Sequence, residues 1–416
     1  MNYALEPEFA FLCALVRPRP DHRRAMELVR NGLNFARVER LAAAHGVRPH
    51  LLHALDDSGG AREFGELIEA LRSFRRGHAA RNLHAAAELR RIANRFDECG
   101  IGFATFKGIA LAVALYGDVS RREFNDIDII VRPADLAAAE SALESCGYRA
   151  ALGNGREWRR AFLGYQRQYM FVRADSQFAV DLHWDFSPHD FAFPLRASDI
   201  WSDLDQVPLA GRTVPTFGAE TLAVYLAGHG AKEGWKCLGW VCDFADFHQL
   251  RPDLDWTGLL RRHNRNGRLH LLLGLSLAKE LLGVPVQDEL LDGADRDPKI
   301  RSLLDLALRR LSGAAKSKNP HPEMSLALLE TCRTWSEKLR VLWLLATTRT
   351  VGDYKAIPLP PAVWRLYHLI RPFRLASKIL SIGLKSREPK EPPPDAHSAN
   401  TRPDPRNERA RDDASP

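Results

Sequence analysis

The feature that most constrains this chain is the run Asn125-Asp126-Ile127-Asp128-Ile129-Ile130-Val131. It alternates acid with aliphatic before turning fully apolar. On a strand, side chains two apart point to one face. Asp126 and Asp128 therefore share a face, and Ile127 and Ile129 enter a core. Adjacent carboxylates repel and are costly to desolvate unless a cation lies between them. Mg²⁺ is suited to that place, since it is hard, prefers oxygen and also binds phosphates.

The flanking pattern predicts a small sheet. A short strand, Ile101 to Phe106, stops at Lys107-Gly108, and a helix follows to Tyr116. Arg121 and Arg122 lie in a polar loop. Pro133 opens a helix that Gly147 stops, and Tyr148 to Ala150 starts a strand. Residues 153–160 read as a polar loop. Residues 166–172 and 177–184 read as a hairpin. In Val180-Asp181-Leu182-His183-Trp184-Asp185, the three polar groups alternate onto one face. Alone, that is an ordinary half-exposed edge strand. Beside the Asp pair, it offers a third metal carboxylate.

The rest of the chain reads as helical. Residues 1–100 carry apolar residues at helical spacing, with one or two long helices over 64–96 whose Arg75, Arg76, Arg81, Arg90 and Arg91 line outer faces. Residues 186–216 form an irregular Pro-rich connector. Helices resume at Glu220, where His229, Lys232 and Lys236 share one face with Asp243 two turns on. Helical stretches over 324–347 and 362–382 flank a proline-rich turn at 352–361. Trp184, Trp235 and Trp240 are either core residues or a stacking surface for a base. From about Ser386 the tail has no Val, Ile, Leu or aromatic residue and reads as disordered. The expected class is α+β: a small mixed sheet at 101–216, flanked by an N-terminal helical region at 1–100 and a C-terminal helical domain at 217–385, with a tail at 386–416.

Composition excludes little. The 416-residue chain is 45% hydrophobic with a formal charge of +7. It has no compact Lys/Arg block, so charge does not point to duplex nucleic acid. Six scattered cysteines lack zinc-site spacing and read as reduced thiols. The apolar run Phe9 to Val16 follows acids rather than a basic start, and no stretch reaches the length of a membrane span, so a cytoplasmic protein is expected.

A glycosidase needs carboxylates on opposite sides of a sugar bond, and a metallohydrolase brings more histidines. A two-metal nucleotidyl transferase needs bridging carboxylates and a phosphate cradle. Gly108 at a helix N-terminus, upstream of the acidic strand, suits that chemistry best.

Phe106-Lys107-Gly108, Leu115-Tyr116-Gly117-Asp118, Arg121, Asn125-Asp126-Ile127-Asp128-Ile129, Gly147-Tyr148 and Asp181-Leu182-His183-Trp184 together resemble an uncharacterised nucleotidyltransferase family of the DNA polymerase beta-like superfamily. The resemblance continues through His229, Lys232, Trp235, Trp240 and Asp243. It implies transfer of a nucleoside monophosphate from an NTP to a hydroxyl or phosphate acceptor, with two Mg²⁺ ions (Mn²⁺ as a substitute) and release of pyrophosphate. By this likeness Asp126, Asp128 and Asp181 are catalytic metal ligands, with Asp185 as rival for the third place. Lys107, Gly108, Arg121 and Lys232 would contact nucleotide; His183 and His229 would contact the acceptor or support the ligands. The superfamily usually has Gly-Ser where this chain has Lys107-Gly108. That departure sustains an alternative, a non-catalytic nucleotide-binding module. An antitoxin-type transferase acting on protein or tRNA differs only in acceptor. The resemblance also implies a place beside polysaccharide or modified-peptide biosynthesis genes, which members of this branch often accompany. The acceptor, base preference and oligomeric state are left open.

Overall fold

The computed structural model describes residues 5–57, 64–152, 155–163, 167–186, 193–263, 265–294, 296–313 and 327–385. The disordered tail expected from 386 and the start of the helical stretch expected at 324–347 lie outside those residues.

Helices α1 (Pro7–Leu15), α2 (His22–Arg30), α3 (Phe35–Ala44) and α4 (Arg48–Asp57) lead to α5 (Gly65–Glu98), a single helix of 34 residues. Gly100, at φ +64°, turns the chain out of α5. There follow β1 (Phe103–Thr105), α6 (Gly108–Tyr116), β2 (Asp126–Val131), α7 (Leu136–Ser145), β3 (Arg149–Ala150), α8 (Arg156–Leu163), β4 (Gln168–Val172) and β5 (Ala179–His183). The five strands form one mixed sheet in the order β1-β2-β5-β4-β3. Only β2 and β5 are parallel, and the segment from α7 to β4 supplies the crossover that a parallel pair requires.

Alternation along β2 divides its side chains between two cores. Ile127, Ile129 and Val131 pack with Leu89, Ile92, Phe171 and Leu182 against the second half of α5. Each such aliphatic side chain contributes about 1.5–3 kcal/mol on burial. The opposite face carries Asp126 and Asp128, and then Ile130, which joins Phe106, Phe186 and Phe217 in the other core. That second core also joins α1, α3 and α4 to the later helices.

The later elements are β6 (Leu204–Leu209), β7 (Arg212–Phe217), α9 (Ala219–Lys232), α10 (Leu238–Leu250), α11 (Trp256–Arg262), α12 (Arg265–Leu282), α13 (Pro298–Gly313), α14 (Ala327–Thr331), α15 (Trp335–Thr347), α16 (Val351–Ala356) and α17 (Tyr367–Lys385). The mixed α+β class is as expected, but four local expectations are corrected. Residues 156–163 form α8 rather than a loop. The connector contains the β6–β7 hairpin, turned at Ala210-Gly211 with both φ positive. Its prolines, Pro208 and Pro215, sit in a two-stranded ribbon, where a missing N–H is tolerated. The chain breaks after Lys232, with Gly234 at φ +66° and Trp235 at +49°, so Lys236 and Asp243 do not continue the helix of His229. The turn expected at 352–361 opens with α16.

Candidate active site

The parallel pairing of β2 and β5 aligns Asp128 with Asp181 and Ile130 with His183. Ligand atoms of Asp128, Asp181 and His183 consequently lie within 4.8 Å of one another. Asp126 is on the same face of β2, just outside that trio.

Asp128 is 1% exposed. Its Oδ1 accepts from Lys107 Nζ at 3.0 Å and pairs with His183 Nε2 at 3.0 Å. Its Oδ2 is buried with no hydrogen-bond partner. Burial pushes the Asp128 carboxyl up, but Lys107 and the His183 hydrogen bond outweigh it and hold the group below the usual carboxylate range. Asp128 is thus ionised and can only accept, so His183 donates through Nε2–H. Burial keeps the His183 imidazole below its ordinary value.

The other acids behave oppositely. Burial, followed by the charge of Asp128, pushes Asp126 up to about 6. Burial, with the charges of Asp128 and Asp126, pushes Asp181 up to about 7. Asp181 Oδ2 accepts from Gln168 Nε2 at 2.8 Å. Like charges so close cannot all ionise without a counter-charge. A hard divalent cation would supply one, and an unpartnered carboxylate oxygen beside two further oxygen donors fits such an ion.

Gly108 places α6 against this strand. Its φ is +50°, and a Cβ there would stand 3.0 Å from the Asp126 carbonyl oxygen. Only glycine meets both demands without strain. The opposite wall is α9. Lys107 Nζ lies 5.9 Å from the Tyr225 ring centroid, and Tyr225 stacks on His229 at 5.9 Å and 9°. Lys232 Nζ donates to the Phe186 carbonyl at 3.3 Å. Its ammonium is held below the ordinary lysine value by burial, against the charge of Glu233 and with that of Lys107.

Lys107, Gly108, Lys232 and His229 thus belong to the surroundings of the three acids. Two expected residues do not. Arg121 lies over the Tyr116 ring at 5.4 Å and lines a separate cavity with His50 and His53. Asp185 Oδ1 accepts the backbone N–H of Phe186 at 2.9 Å and of Ala197 at 3.0 Å, so it orders the chain after β5. Trp184 and Trp235 are buried core residues. A cavity of about 730 Å³, bounded by α5, α6, the β6–β7 hairpin and α10, contains none of the acids. Ligand chemistry, not hollow volume, marks the site.

Several contributors escaped the sequence reading. Arg81, expected on an outer face, donates to the Phe124 carbonyl at 2.6 Å and lies over the Phe178 ring, bracing the chain before Asp126. Arg122 forms a bidentate pair with Asp243 of α10, Nε donating to Oδ1 and Nη2 to Oδ2. Gln168 and Tyr225 carried no signal beyond their place in a strand and an apolar stripe.

Two solved structures are similar in part. A solution structure of the antibiotic-resistance factor ANT(2'')-Ia shares 14% identity over 55% of this chain and 94% of that chain, with a TM-score of 0.28. A crystal structure of ANT(2'')-Ia in complex with adenylyl-2''-tobramycin shares 16% identity over 54% of this chain and 98% of that chain, with a TM-score of 0.27. No curated protein matches. Residues 31–283, which carry the whole sheet and α9, match the family described as uncharacterised nucleotidyltransferase. The chain belongs to that nucleotidyltransferase family.

Proposed function

We propose that this enzyme transfers a nucleoside monophosphate from an NTP to a hydroxyl or phosphate acceptor, releasing pyrophosphate, and that it depends on a divalent metal, Mg²⁺ or Mn²⁺. The observation that carries this reading is the buried, unpartnered Oδ2 of Asp128 beside Asp181 and His183. Asp126, Asp128 and Asp181 would hold the ions. When bound, the metal neutralises phosphate charge and favours in-line displacement. Gly108 lets the start of α6 approach a phosphate, whose charge suits a helix N-terminus. Lys107, at the N-cap of α6, and Lys232, at the end of α9, supply positive charge from the two sides. His183 holds Asp128 in one orientation. The roles proposed for these residues in the chain's 101–216 and 217–385 portions presume a cleft between sheet and α9.

One observation favours a second reading. Lys107 already neutralises Asp128, as a non-catalytic nucleotide-binding module would allow. Incubation with each labelled NTP, with and without Mg²⁺, in the presence of host lysate separates the two. Metal-dependent labelling of an acceptor with stoichiometric pyrophosphate supports transfer. Nucleotide binding with no pyrophosphate over a broad acceptor screen supports the module. The labelled species identifies the acceptor, whether saccharide, peptide, protein or tRNA.

A further inference from the structure

A second unusual surface lies on the helices after residue 330, outside the matched segment. On α15, Trp335 is 77% exposed and Trp343 71%, with Leu339 and Leu342 exposed between them. These positions fall four, three and one apart, which is one helical face. On the neighbouring turn and α17, Leu366, Leu369 and Phe373 are exposed at the same kind of spacing, Phe373 at 80%. The two helices are fastened together from within: Arg371 Nε donates to the Leu345 carbonyl at 2.6 Å. Their outward aromatic side chains are therefore not a by-product of loose packing. Each of the two joined helices thus presents an exposed apolar face, and exposed apolar surface of this extent marks an interaction site.

The charge around it selects the partner. From residue 354 to residue 387 the chain has no Asp or Glu. Lys355 and Arg365 are exposed there, Lys378, Lys385 and Arg387 follow in the sequence, and Arg340 is exposed on α15. The chain's own C-terminal tail does not suit the patch, since residues 386–416 contain no Val, Ile, Leu or aromatic residue. A second copy would set cation against cation. A surface that takes up Trp, Leu and Phe while attracting Lys and Arg is an anionic lipid interface. No described helix is long and apolar enough to cross a membrane, so the contact would be peripheral.

We propose that α15 and α17 form a docking face for an anionic membrane surface. The test is sedimentation of the full chain with sucrose-loaded vesicles of phosphatidylcholine alone and of phosphatidylcholine with phosphatidylglycerol. At about 1 kcal/mol per surface cation, Lys355 and Arg365 together predict binding at least about tenfold tighter to the anionic vesicles, weakening with salt. The double variant Trp335→Ser/Trp343→Ser, and separately Phe373→Ser, should each lose most of that binding with an unchanged circular dichroism spectrum. Both change exposed side chains, so folding is preserved. Arg365→Glu should reduce the preference for anionic over neutral vesicles. The proposal is overturned by no sedimentation with anionic vesicles, by equal binding to both compositions, by unchanged binding of the Trp and Phe variants, or by a dimer in size-exclusion chromatography that those variants dissolve.

Discussion

Asp128 and Asp353 are both buried acids, at 1% and 0% exposure, yet they are treated differently. Asp353 sits at the start of α16. Its Oδ2 accepts from Thr350 N at 2.7 Å, Thr350 Oγ1 at 3.0 Å and Arg371 at 2.7 Å, and its Oδ1 from Arg374 at 2.6 Å. Burial pushes its carboxyl up, but Arg371 and these bonds outweigh it and leave the group below the usual range. Asp128 has two partners on one oxygen and none on the other. A fully bonded buried acid is scaffold, because its bonds are complete in the folded chain alone. A half-bonded one carries an unmet cost that a ligand can relieve.

That contrast can be broken by experiment. Arg371→Ala should be the most damaging scaffold change. Breaking a buried pair costs about 3–5 kcal/mol, read as a lower urea midpoint, while activity per folded molecule stays near wild type. An unchanged midpoint would erase the distinction.

The pH dependence sharpens it next. Asp353 has a depressed folded pKa, so its stabilisation is present above the unfolded value near 3.9 and is lost as pH falls. Asp246 is the reverse: burial, opposed by the Tyr116 hydrogen bond and aided by the charge of Asp243, pushes it up to about 7. The folded state then holds a proton the unfolded state releases, so stability falls as pH rises from about 4 to about 7. Asp246→Asn should flatten that fall, by up to about 4 kcal/mol at pH 8. Parallel stability–pH curves for variant and wild type would refute it.

Gly108→Ala is expected to have the smallest effect on folding, about 1–2 kcal/mol for the left-handed backbone. It should still depress transfer, because the added Cβ presses on the Asp126 carbonyl. An unaffected rate would remove Gly108 from the site.

Much of the sheet was legible because period-two alternation is local. Asp126, Asp128, Asp181 and His183 could each be placed on a strand face from neighbours alone. Their meeting depends on β2 pairing parallel with β5 some fifty residues later, which rested on the resemblance. What stayed hidden was non-local or conformational. The Arg122–Asp243 pair spans 121 positions, and Arg81 braces the acidic strand from the middle of α5. The break after Lys232 turns on Trp235 adopting positive φ, which a large side chain rarely does. Pro208 and Pro215 hid the β6–β7 hairpin, since proline argues against a strand unless it lies in an edge ribbon.

The central claim is that the unpartnered oxygen of Asp128 marks the chemistry. Its most direct test is pyrophosphate release by Asp128→Asn beside wild type, at saturating Mg²⁺ and NTP with acceptor-containing lysate, with thermal unfolding measured on both. Asp128→Asn should lose roughly a hundredfold or more of pyrophosphate release while still unfolding cooperatively, at a melting temperature somewhat below wild type because Lys107 and His183 lose their charged partner. Undiminished release from the folded variant would contradict it.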